Sequence, residues 1–162
     1  MRVVEGRFEE GVFSPEANDR DIAERAEWSD SRVVDELERG MTEAGPVMEK
    51  AGHGKLDGIA LGEWVHAGDV REAFGEPGAY EGEGLPYALE LLAALTRARR
   101  SQPLLARLDG HDAPLVLGAD SPDPATFTGP ASTLIRLVAG RPLTGTRYEL
   151  TGAGEKDLVY FG

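Results

Sequence analysis

The fold class is decided by residues 125–141, whose sequence is ATFTGPASTLIRLVAGR. The first four of these residues, 125–128, predict a short strand. Gly129 and Pro130 then lead into a helix predicted over residues 132–139, which Gly140 closes. A strand joined directly to a helix in so short a segment favours an α+β fold for this part of the chain.

The sequence around this segment is typical of short strands. Residues 109–112, Asp-Gly-His-Asp, predict a turn between two of them. Four further strands are predicted, at residues 104–108, 114–117, 147–150 and 157–161. We therefore predict a small α+β half over residues 103–162.

Helical periodicity dominates the preceding residues, 1–102. One helix is expected to begin after Ser29-Asp30-Ser31, which offers capping side chains, and to end at Gly45-Pro46. The other helical segments are predicted at residues 18–28, at residues 58–74, and from Leu85-Pro86 onward. We predict a helical, bundle-like half here, with a domain boundary at residues 102/103.

The charge of the chain argues against two classes of partner. Lys and Arg number 17 against 29 Asp and Glu, so the formal net charge is −12 at pH 7. A protein this acidic repels nucleic acid and anionic lipid surfaces, which are bound by clustered Lys and Arg. We expect neither nucleic acid nor a membrane as partner.

Composition also limits the chemistry. The chain has no cysteine, which excludes disulfides, thiol nucleophiles and Cys-ligated metals. A metal would need His and carboxylate ligands, and the histidines available are His53, His66 and His111. The sequence shows neither a secretory signal nor an apolar run of about 20 residues, so a cytoplasmic location is expected.

One cluster, GEWVHAGDVR at residues 62–71, carries side chains suited to chemistry. Glu63, His66 and Asp69 are spaced by three, so they project from one side of the predicted helix. They could hold two positions of a divalent metal or act as an acid/base pair. Alternatively, Glu63 and Asp69 solvate the helix while His66, on a stripe with Val70 and Phe74, hydrogen-bonds in the interior.

Two segments resemble one protein family. Residues 63–75, EWVHAGDVREAFG, resemble the signature helix of the DinB-like, mycothiol-dependent maleylpyruvate isomerase family through Val65-His66, Asp69 and Arg71. Residues 128–141, with their Gly-Pro-Ala turn, Leu-rich helix and closing Gly-Arg, resemble its C-terminal module. The two motifs occur in the family's order, and the resemblance covers about residues 5–150.

The resemblance implies a fold, an activity and site residues. The fold would be a truncated DinB-like helical bundle followed by a small α+β module, in a bacterial protein. The activity would be a thiol-dependent isomerisation or transfer on a small molecule, with zinc and mycothiol as cofactors. His66 and Glu63 would be metal ligands, and Arg141 would be a catalytic residue that holds an anionic substrate.

The chain departs from the family pattern at the metal. The family's first bundle helix, which carries a histidine ligand, has no counterpart in this sequence. The sequence leaves open whether the natural gene encodes an additional N-terminal helix. Gly62 stands four residues before His66 where the family has an acid, and Glu63 is displaced by about 100° around the helix. We therefore expect a degraded metal site and no cofactor in this chain, unless His53, in a Gly-flanked loop, folds towards His66.

Three functions remain open from the sequence. The chain could be a metal- and thiol-dependent enzyme, a non-catalytic small-molecule-binding protein, or an oligomerising domain. A bundle without its first helix would leave a groove along Leu85, Leu89 and Leu92, which predicts a homodimer. For Asp69 and Arg71 the alternatives are substrate or thiol contact and a local ion pair, and the ion pair is favoured.

Overall fold

The computed structural model describes residues 15–51 and 57–160, and these ranges form an α+β protein. The helices are α1 (Pro15–Arg25), α2 (Asp30–Ala51), α3 (Asp57–Ala73), α4 (Leu85–Ala98) and α5 (Ala131–Val138), with a 3₁₀ helix at Glu155–Leu158. The strands are β1 (Leu104–Leu108), β2 (Leu115–Leu117), β3 (Ala125–Gly129) and β4 (Glu149–Thr151). Within the described ranges, no helix is both long and apolar enough to cross a membrane.

The chain divides into two compact units, one up to residue 55 and one from residue 56. In the first unit, Arg25 donates hydrogen bonds from Nε and Nη2 to the carboxylate of Glu36, at 2.5 and 2.8 Å. The predicted end of the second helix at Gly45-Pro46 is wrong, because α2 continues to Ala51. Pro46 removes one backbone hydrogen bond, and the helical turns on both sides of it maintain α2.

The second unit is built on a four-stranded sheet with the order β2-β1-β3-β4. β1 pairs antiparallel with β2 and parallel with β3, and β3 in turn pairs antiparallel with β4. The strands predicted at residues 104–108, 114–117 and 125–128 are confirmed to within one residue at their ends. The strand predicted at residues 157–161 is wrong, since Glu155–Leu158 is a 3₁₀ helix whose first turn is closed by Asp157 accepting from the N–H of Gly154.

One cluster of buried side chains fills the second unit. It extends across the predicted boundary at residues 102/103, so that boundary falls inside this unit. Its fully buried members include Leu61, Leu92, Leu104, Phe127, Ile135 and Leu158. The groove expected along α4 is therefore absent from the described structure, because Leu89 and Leu92 belong to this core, and the homodimer stays a prediction without that support.

The face of α3 that packs into the core differs from the predicted one. Leu61, Val65 and Gly68 are buried, whereas the His66 side chain is 68% exposed and Phe74 is 80% exposed. The prediction that His66, Val70 and Phe74 face the interior is therefore wrong. The apolar residues at positions 70 and 74 suggested this face, whereas Leu61 and Val65 define a neighbouring face that packs against the unit.

A buried hydroxyl in α4 gives the first prediction. Thr96 Oγ1 donates to the carbonyl of Leu92 at 2.8 Å and accepts from the buried N–H of Gly118 at 3.1 Å. Thr96→Val should lower the free energy of unfolding by about 1–3 kcal/mol, because it leaves that N–H without an acceptor. Thr96→Ser keeps the hydroxyl and should cost less. Denaturant unfolding measures both, and a Val variant at least as stable as the Ser variant would contradict the assignment.

Candidate functional site

Asp69 lies at the centre of the candidate site and joins α3 to the end of α5. Arg141 donates from Nε to Oδ1 and from Nη2 to Oδ2, both at 2.9 Å, in a bidentate pair. The hydroxyl of Tyr80 also donates to Oδ1, and His66 Nδ1 lies 3.2 Å from Oδ2. Asp69 thus forms an ion pair with a partner 72 residues away rather than a local one, while Arg71 donates to the carbonyl of Ala67 in its own helix.

The position of Arg141 follows from the way α5 ends. Gly140 adopts a positive φ of 65°, which a residue without a side chain adopts without strain. Its N–H donates to the carbonyl of Leu137, and the N–H of Arg141 donates to that of Arg136 at 2.8 Å, the two bonds of a Schellman motif. Nη1 of Arg141 donates to the carbonyl of Ala139 at 2.8 Å. These contacts fix the guanidinium before any ligand binds.

The surroundings of Asp69 keep its carboxylate ionised. Burial is the largest influence and raises the pKa, but the hydrogen bonds from Arg141 and Tyr80 and the charge of Arg141 outweigh it, so the pKa falls to about 2. The hydrogen bond to Asp69 in turn raises the pKa of Arg141. Burial, together with Asp69, raises the pKa of Tyr80 above its ordinary value, so Tyr80 remains a hydrogen-bond donor.

The ionised Asp69 determines which ring nitrogen of His66 carries a proton. A carboxylate without a proton only accepts hydrogen bonds, so Nδ1 of His66 is the donor in the contact between them. In the neutral imidazole the lone pair is then on Nε2. A carboxylate that accepts a hydrogen bond from one ring nitrogen is an arrangement by which proteins orient ligating and catalytic histidines.

A second set of contacts supports Tyr80. The guanidinium of Arg136 stacks over the Tyr80 ring at 4.5 Å, and it pairs with Glu72 and donates to the carbonyl of Pro142. The ring also packs against Gly68, where a Cβ would lie 2.5 Å from a ring carbon. Sequence reasoning missed Tyr80 and Arg136. The glycine inside α3 was the available signal that a ring packs there.

A pocket of about 160 Å³ lies beside this network, between α3, α4 and Arg141. Its polar and apolar walls include His66, Arg99, Arg141, Leu61, Val65 and Leu95. Arg99 donates to the carbonyl of Tyr160 at 3.4 Å. The two residues that the resemblance singles out in separate motifs, His66 and Arg141, thus line the same pocket.

The described residues do not by themselves fit the three-ligand metal that the resemblance implies. Glu63 and His66 are both exposed on α3. Within residues 15–51 and 57–160, no three His, Asp or Glu side chains lie close enough to hold a metal ion. The carboxylate of Asp69 is already bound by Arg141 and Tyr80. His53 lies outside the described residues, and His111 lies in the β1–β2 turn.

Comparisons with family models, with curated proteins and with solved structures find no match for this chain.

The pKa of Asp69 gives a prediction on acid stability. Because the pKa is lowered from 3.8 to about 2 in the folded state, the ionised carboxylate stabilises the fold above about pH 4, and this contribution is lost as the pH falls through 2. Asp69→Asn should therefore be less stable than the wild type at pH 7, with the difference shrinking between about pH 4 and pH 2. Denaturant melts across this range test it, and a difference that does not vary with pH would contradict the pairing.

The metal content is a separate prediction. Since Glu63 and His66 alone stand at candidate ligand positions in the described chain, purified protein should hold no stoichiometric zinc or nickel. Elemental analysis after dialysis against a mild chelator measures this. One tightly held metal per chain would refute it, and His66→Ala should then lose the metal, with His53 as the suspected second ligand.

Proposed function

We propose that the chain is a divergent member of the DinB-like, mycothiol-dependent maleylpyruvate isomerase family, and that the pocket beside His66 binds a small organic anion. One observation carries the proposal. The two motifs behind the resemblance, at residues 63–75 and 128–141, meet at Asp69, which contacts both His66 and Arg141. His66 and Arg141 then line one pocket.

Arg99 and Arg141 have different parts in binding the anion. Asp69 balances the charge of Arg141, and the hydrogen bonds from the guanidinium to Asp69 and to the carbonyl of Ala139 fix its orientation. Arg99 donates to a carbonyl, and no ion pair of Arg99 is found within the described residues. Arg99 therefore supplies the electrostatic attraction for the anion, and Arg141 supplies a guanidinium group of fixed orientation.

The opposite walls of the pocket suit the body of the ligand rather than its charge. Leu61 and Val65 line the pocket from α3, and Leu95 lines it from α4. An apolar surface next to two guanidinium groups favours a molecule with a charged end and a hydrocarbon part. Inorganic anions would use only half of such a site.

The second candidate function is a thiol-dependent isomerase or transferase on small molecules. The contact between His66 and Asp69 favours it, because a carboxylate that holds an imidazole in one orientation is a common part of acid–base sites. Arg141 would hold the anionic group of the substrate, and mycothiol would supply the thiol that this cysteine-free chain lacks. The oligomerising role, the homodimer and the cytoplasmic location stay predictions.

Anion binding is tested with butyrate as the probe, in an NMR titration of the labelled protein. Butyrate should shift signals of residues around His66 and Leu95 in a saturable way. Arg99→Gln should weaken binding by about fivefold, the effect of one partly exposed charge contact of about 1 kcal/mol.

The matched control is Arg107→Gln, which removes the same charge from an exposed position on β1. It should leave the dissociation constant unchanged. Equal weakening in both variants would indicate a general charge effect, and the lack of saturable shifts at the pocket would refute the proposal. Turnover of maleylpyruvate with mycothiol supplied, compared between the wild type and His66→Gln, separates the enzyme from the binding protein.

A further inference from the structure

Two glycines in α3 differ in what surrounds them. At Gly68 a Cβ would lie 2.5 Å from the Tyr80 ring, so the packing of the protein requires glycine there. At Gly62 a Cβ would meet nothing within 4 Å in the described part of the chain. The described structure therefore gives no packing reason for glycine at position 62.

Glycine at this position carries a cost in stability. In a helix interior, glycine is less favourable than alanine, because its backbone loses more conformational freedom on folding. Gly62 lies well inside α3, which spans Asp57–Ala73. Gly45 inside α2 carries the same cost with equally open surroundings, so what distinguishes Gly62 is the pocket that it lines.

The space in front of Gly62 is part of the pocket described above. Gly62 lines that pocket together with Leu61, Val65, His66 and Arg141. Its volume of about 160 Å³ lies below the range of about 300–1,000 Å³ that is typical of pockets for drug-sized ligands. A ligand of a few carbons fits this volume, and a nucleotide or a drug-sized molecule does not.

We propose that Gly62 determines the specificity of this site, and that the ligand is a short-chain aliphatic carboxylate whose hydrocarbon part lies across the backbone of α3 at Gly62. This inference rests on the proposed anion binding. The carboxylate is held by Arg99 and Arg141, so the hydrocarbon part extends along the apolar wall of Leu61 and Val65. A side chain at position 62 would occupy the volume that the last carbons of the ligand need.

The test uses the homologous acids acetate, propionate, butyrate and valerate. In the wild type each added methylene should tighten binding by about fourfold until the pocket is full, as expected for burial of one CH₂ group. In Gly62→Ala acetate should bind as it does to the wild type, and the gain should stop at least one carbon earlier. The same substitution should reduce the unfolding equilibrium constant by about fivefold, since alanine is the better helix former.

Gly45→Ala in α2 is the matched control, because a Cβ there also meets nothing within 4 Å and Gly45 does not line the pocket. It should leave the chain-length dependence unchanged. A Gly62→Ala variant that is more stable and has lost affinity for the longer acids supports the proposal.

Two results would overturn the inference about Gly62 while leaving anion binding intact. One is a chain-length dependence in Gly62→Ala equal to that of the wild type. The other is a destabilised Gly62→Ala, which would show that the space is filled by the protein. If the wild type binds none of the acids, both the proposed function and the inference fail.

Discussion

The bidentate pair between Asp69 and Arg141 is the interaction on which the candidate site depends. The two side chains are 31% and 24% exposed, so both are partly removed from water. Two parallel N–H···O contacts offset that desolvation better than a single contact between point charges does, and they allow one orientation of the guanidinium. The pair joins α3 to the residue that follows α5, and thereby sets the positions of His66 and Tyr80 relative to the pocket.

The same pair explains why the site is organised before a ligand binds. Arg141 is fixed by Asp69 and by the backbone at the end of α5, and His66 is oriented by the other oxygen of Asp69. Tyr80 is held between Gly68 and Arg136 and adds a further donor to Asp69. Groups fixed in this way lose little freedom on binding, which favours affinity for a small ligand with few contacts of its own.

The sequence predicted most of the fold of the second unit because its signals are local. A turn of Asp and Gly between two apolar runs is enough to predict β1 and β2, and Gly140 is enough to predict where α5 ends. The predictions were wrong where the local structure depends on contacts with residues distant in the sequence. The face of α3 that is buried depends on which of its stripes packs into the core. Glu155–Leu158 form a 3₁₀ helix in which Leu158 is buried, and the N–H of Tyr160 donates to the carbonyl of Val138.

The candidate site was predictable only in part, for a related reason. Motif spacing identified His66, Asp69 and Arg141, and the structure brings these three together. Among the described contacts, none links Glu63 to these three residues. Tyr80 and Arg99 lie outside both motifs, and Arg136 lies inside the second motif without being singled out by it. Their roles follow from a ring that fits a glycine and from a pocket wall that forms where α4 packs against α3.

Position 62 connects the proposed family with the proposed ligand. In the family pattern the residue four before the histidine is an acid, which lies one helical turn away and on the same face, as a metal ligand must. Here that position is Gly62, and the space that a carboxylate would occupy is open to the pocket. The carboxylate of Asp69 is bound by Arg141 and contacts the imidazole of His66. On the proposed membership, a single change at position 62 removes a negative charge from the pocket and provides room for a hydrocarbon chain, and both effects favour an organic anion over a cation at this site.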